Sequence, residues 1–84
     1  MKVENLKDTS EMMCSSDYKE RFKAEYYQLR MRFSALDKML INYMSGRLSF
    51  NPSCPYNMLH EQLVFMERYL VCLEQRAKIE GIEL

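Results

Sequence analysis

The chain has 84 residues, 48% of them apolar, with twelve Lys and Arg balanced by twelve Asp and Glu. A single domain of this length buries only about 60% of the surface its unfolded chain exposes, so its core is marginal and needs support. The zero formal net charge provides no long-range field to gather duplex nucleic acid or an anionic membrane surface, and six Tyr, four Phe and eight Met exclude a disordered main body.

Residues 1–16 form a polar N-terminal segment, either flexible or a short helix, in which Val3, Leu6 and Met12-Met13-Cys14 build at most a short docking helix. The segment lacks the continuous apolar run of a signal peptide, and no stretch of about 18 apolar residues follows that would span a bilayer. A soluble, cytoplasmic protein is expected. Asp17 and Glu20 stand in capping-box spacing and start the first long helix, whose apolar residues Phe22, Tyr26, Leu29, Phe33, Leu36, Leu40 and Tyr43 step by four and three. Gly46 ends it. In the link, Leu48 and Phe50 tuck over the end and Asn51-Pro52 signals a turn. A second long helix begins near Pro55, with Ser53 or Cys54 as its cap, and carries the stripe Leu59, Leu63, Met66, Leu70, Leu73 and Ala77 until Gly81. The fold class is therefore all-α. Two matched stripes joined by a short link predict an antiparallel, coiled-coil-like hairpin domain over residues 17–84.

Such a hairpin is thin, and small scaffolds are supported by disulfides, a metal or oligomerisation. Cys14, Cys54 and Cys72 are odd in number and widely spaced, and the single His60 cannot complete a zinc site. Reduced cysteines with Cys72 packed, no metal and no cofactor are expected. Oligomerisation remains, and the second helix supplies a surface for it. Met58, Phe65, Cys72 and Ile79 recur every seven residues off the seam, with Tyr69 beside them. One partner helix covers only the seam, so this row predicts a homo-oligomer interface.

No catalytic motif is present: the chain has no GxSxG, P-loop or HExxH, and His60 lacks a nucleophile or carboxylate partner in sequence. It is not expected to be an enzyme. An antiparallel hairpin brings Tyr18, Arg21 and Phe22 at the start of one helix near Arg76 and Lys78 at the end of the other. Arginine forks suit phosphate and aromatic faces suit bases, so this end fits a small nucleotide. Glu74 and Glu80 compete for the same cations, and the charges Lys19 to Glu25 also read as an ordinary solvated face.

The segments Y-K-E-R from Tyr18, N-P-S-C-P from Asn51, and L-x-x-Q-x-x-x-M-x-x-Y-L-x-x-L-E-x-R-A from Leu59 to Ala77 resemble the helical-hairpin domain shared by phage anti-CBASS and anti-Thoeris sponge proteins. The likeness covers roughly residues 18–84. It implies a homo-oligomer, often a hexamer, that holds cyclic nucleotide second messengers between protomers without cleaving them. The ligands it implies are cyclic dinucleotides, trinucleotides or a cyclised ADP-ribose, captured in the bacterial host cytoplasm so that immune effectors are starved of their activator. Carried onto this chain, it implies Tyr18 as a stacking or phosphate-contacting residue, and Arg21, Arg76 and Lys78 as phosphate ligands. The alternative is a non-catalytic coiled-coil interaction module of phage origin, whose off-seam rows dock on a host or phage protein.

Overall fold

The computed structural model describes residues 5–84, in which one turn of 3-10 helix, Leu6–Thr9, precedes three α-helices. These are α1 (Ser10–Met13), α2 (Tyr18–Met44) and α3 (Tyr56–Glu80), and no strand occurs among the described residues. The all-helical class read from the periodicity is the class observed. The first four residues of the expected N-terminal segment, Val3 among them, lie outside the described residues.

Each helix end has a local cause. At the start of α2 the Asp17 carboxylate accepts from the Lys19 N–H at 3.0 Å. The reciprocal bond expected from Glu20 is not made, because the Asp17 N–H it would accept from is already bonded to Ser15 Oγ at 3.0 Å. At the other end the Ser45 hydroxyl donates to the Ile41 carbonyl at 2.8 Å, and Gly46 turns the chain at a φ of 71°. The cap of α3 is Pro55 itself rather than Ser53 or Cys54. Its ring holds φ at −61° while ψ is extended at 151°, so the first helical residue is Tyr56. The Pro55 carbonyl then accepts from Met58 and Leu59.

Gly81 closes α3 at a φ of 69°, and the Ile82 N–H returns to the Ala77 carbonyl at 2.8 Å. This is the pattern in which the residue after the left-handed glycine packs back on the last turn. Ile82 does so and is 6% exposed. A Cβ at Gly81 would meet nothing within 4 Å, so Gly81→Ala carries only the conformational cost of the left-handed region. Urea denaturation should show a loss of about 1 kcal/mol.

The core is Phe22, Tyr26 and Leu29 of α2 against Leu70, Leu73 and Ala77 of α3, capped by Ile82. Contacts climb one helix as they descend the other. Tyr18 meets Glu80, Tyr26 meets Glu74, Glu25 meets Tyr69, and Tyr43 stacks on Tyr56 with centroids 5.4 Å apart. Three of these four are a tyrosine hydroxyl donating to a carboxylate on the other helix. Directional bonds of this kind fix register where apolar packing alone would tolerate a slip.

Burial tapers along the stripe. Leu40 is buried, but Phe33, Leu36, Leu59, Leu63 and Met66 are only half-buried and Tyr43 is exposed. The covering pieces lie at the Phe22 end. There Ile82 closes the core, and the N-terminal turn and α1 pack on α2, with Thr9 fully buried and Gln28 Nε2 donating to Met13 Sδ. The opposite end has no such cover: Phe50, expected to tuck over it, is exposed, and Leu48 is only half-buried.

The result is a slender body of 43 × 25 × 18 Å with a radius of gyration of 15.0 Å. A compact chain of this length has a radius near 12 Å. Its accessible surface, 6340 Å², exceeds the roughly 5,300 Å² of a compact monomer of the same mass.

Candidate functional site

The end of the molecule where α2 begins and α3 finishes carries a closed polar ring. The Tyr18 hydroxyl donates to Glu80 Oε1 at 2.7 Å and accepts from Arg76 Nη2 at 2.7 Å, while Arg76 Nε donates to Glu80 Oε2 at 3.1 Å. Beneath it, the Arg76 guanidinium lies over the Phe22 ring, 5.0 Å from the centroid, and Tyr18 is tilted against the same ring at 6.3 Å. Each member is placed by a local rule. Tyr18 is the first residue of α2, set by the Asp17 cap, and Phe22 lies one turn on and is buried. Arg76 and Glu80 are one turn apart on α3, the spacing at which helical side chains meet.

The structure therefore brings Tyr18, Phe22 and Arg76 together and adds Glu80 to them. It does not bring Arg21 or Lys78 into that ring. The Arg21 fork turns away and donates to the Ser15 carbonyl at 2.7 Å, because the chain before the cap folds back across the first turn of α2. Lys78 is exposed in the last turn of α3. Of the two acids read as competitors for the cations, Glu80 takes Arg76, whereas Glu74 is claimed by the Tyr26 hydroxyl at 2.8 Å.

The electrostatics follow the geometry. The hydrogen bond that Tyr18 donates to Glu80 raises the phenol above its ordinary range, and that bond lowers the Glu80 carboxyl, helped by Arg76. Arg76 is raised chiefly by Glu80, and Tyr26 is raised by burial and then by its bond to Glu74. A lowered carboxyl contributes stability above its unfolded pKa, about 4.3, that is lost as pH falls through the folded value. A raised phenol contributes stability below about pH 10 that is lost as pH rises through the folded value. The urea midpoint should thus be flat from about pH 5 to about pH 9 and fall on both sides. Tyr26→Phe should lower the plateau by about 1 kcal/mol and reduce the alkaline fall.

The off-seam row of α3 lies in solvent on the single chain. Phe65 is 58% exposed and Ile79 85%, and Met58 and Cys72 are exposed with them. Cys72 is accordingly not packed within one chain, because it lies off the seam that faces α2. Tyr69 has a double allegiance: its hydroxyl is bonded to Glu25 of α2, while its ring, with Met58, Glu61, Gln62, Phe65 and Met66, lines an open groove of about 520 Å³. Among the described residues no three His, Cys, Asp or Glu side chains converge as a metal site, and no helix is long and apolar enough to cross a membrane.

No curated protein and no solved structure matches the chain. Residues 16–79 match the family model of Sequestin, a span that contains α2, the link and nearly all of α3. That match covers the polar ring up to Arg76 as well as the off-seam row, and the chain belongs to the Sequestin family, the non-catalytic binding proteins that are the phage sponges for cyclic oligonucleotides.

Proposed function

We propose that the protein binds and sequesters cyclic nucleotide second messengers, cyclic di- or trinucleotides or a cyclic ADP-ribose-type molecule, without cleaving them. Acting in the bacterial host cytoplasm, it would block CBASS- or Thoeris-type immune signalling by stoichiometric capture. Family membership over residues 16–79 carries this reading. Its working unit is an antiparallel hairpin domain, residues 17–84, behind an N-terminal segment, residues 1–16, and hairpins associate into a homo-oligomer, a hexamer being the form the family resemblance implies. The association uses Met58, Phe65, Tyr69, Cys72 and Ile79. The ligand's phosphates meet Arg76 and Tyr18, with Arg21 and Lys78 supplying further positive charge once their side chains swing inward.

Physical chemistry supports the division of labour. Arg76 is an exposed fork already held over an aromatic ring, so little rotamer entropy is lost when it bonds a phosphate. Tyr18 adds exposed aromatic surface for a base. A two-helix body has almost no interior, so enclosing a ligand requires surfaces from more than one chain.

Calorimetric titration with a panel of cyclic di- and trinucleotides and cyclic ADP-ribose isomers tests the proposal, with the ligand recovered by heating and analysed. Saturable binding of at least one panel member and its return unaltered are expected. Arg76→Ala should weaken that binding by about 10- to 100-fold while leaving the mass of the assembly unchanged. Flat titrations across the panel would favour the protein-interaction module, and a linearised product would establish catalysis.

A further inference from the structure

Glu80 uses both carboxylate oxygens inside the Tyr18–Arg76 ring, accepting from a phenol at Oε1 and from a guanidinium nitrogen at Oε2. A phosphate offers two oxygens to the same two donors in the same way. We propose that Glu80 is a resident anion of the binding corner, filling the cradle of Tyr18 and Arg76 until a ligand phosphate displaces it, and thereby setting which phosphates are accepted. The inference rests on the nucleotide-binding reading and names the group that tunes it.

Two consequences follow from the tether. Glu80 is fixed one helical turn from Arg76, so its effective concentration at the fork is in the millimolar range or above. A ligand with a single phosphate exchanges one anion for another and gains little at the concentrations of a signalling molecule. A ligand with two or more phosphates displaces Glu80 with one and meets further cations with the others; Arg21 and Lys78 lie at this end to receive them. The displaced carboxylate then swings into solvent, which its exposed position allows. Glu80 thus discriminates against mononucleotides and inorganic phosphate, which are abundant in cytoplasm, without any steric filter.

Glu80→Gln keeps the size and an acceptor for the Tyr18 hydroxyl while removing the charge. Titrated by calorimetry, it should bind the cyclic nucleotide taken by the wild type about tenfold more tightly, and bind inorganic phosphate and AMP where the wild type does not. Unchanged or weaker cyclic-nucleotide binding by Glu80→Gln, with the wild type binding normally, would overturn the proposal and make Glu80 a positioning residue for Arg76. Inorganic phosphate bound by Glu80→Gln alone, with neither form taking a cyclic nucleotide, would uphold the resident anion and reject the nucleotide reading. A Glu80→Gln protein that is folded by circular dichroism and binds none of these probes would reject both.

Discussion

Leu73→Ala should cost about 3 kcal/mol. Leu73 is 1% exposed and sits among Phe22, Tyr26, Leu29, Leu70, Ala77 and Ile82, where both helices and the C-terminal return meet. Truncation removes its transfer energy and leaves a void that two stiff helices cannot close. Natural small domains have about 5–10 kcal/mol in total, so a large part of the fold's stability would vanish. Urea denaturation followed by helical ellipticity should show the midpoint falling sharply. Gln75→Ala, on the exposed side of the same turn, should move it by no more than about 0.5 kcal/mol. Equal effects at the two positions would mean that the core has been misplaced.

Phe65→Glu should convert the proposed assembly to single chains of 10.1 kDa while leaving helix content unchanged. Phe65 lies outside the core cluster, so the packing of α2 on α3 does not need it. It is central to the exposed row running from Met58 to Ile79 and forms part of the groove beside Tyr69. In the proposed interface, replacing it removes about 2 kcal/mol of apolar burial and sets a carboxylate where water would be excluded, costing about 2 kcal/mol more. The association constant should fall by about a thousandfold, read by light scattering across a dilution series. A variant that stays assembled would place the interface on another face.

The stepping of Phe22, Tyr26 and Leu29 against Leu70, Leu73 and Ala77 made the seam legible, since a period of 3.5 residues leaves one face to bury. Period does not report how tightly two helices close, however, and the same stripe continued through Phe33, Leu36 and Leu63 is only half-buried. Closure depends on residues outside the stripe. Ile82 was readable from its place after Gly81, where an apolar residue packs back on the last turn. Thr9 was not, because its burial depends on the N-terminal turn settling on α2.

At the candidate site, the topology brought Tyr18 and Arg76 to one end. Glu80 answers Arg76 at the one-turn spacing of a single helix, but which tyrosine each acid would meet, Tyr18 for Glu80 and Tyr26 for Glu74, depended on the facing register. Register is set by bonds between residues 44 to 62 positions apart, and no local spacing announces these. Arg21 illustrates the same limit from the other direction. Its helical position suits the site, yet its fork is held by a carbonyl from the preceding loop.

Capture of an intact messenger by an assembly of hairpins is the central claim, and native mass spectrometry of the protein saturated with the cyclic nucleotide it binds tests both halves at once. The account predicts one species of several 10.1 kDa chains carrying ligand of unaltered mass, with Phe65→Glu reduced to the single chain and unliganded. A ligand-free single chain from the wild-type protein across the whole panel, or ligand released with the mass of a cleaved product, would contradict it.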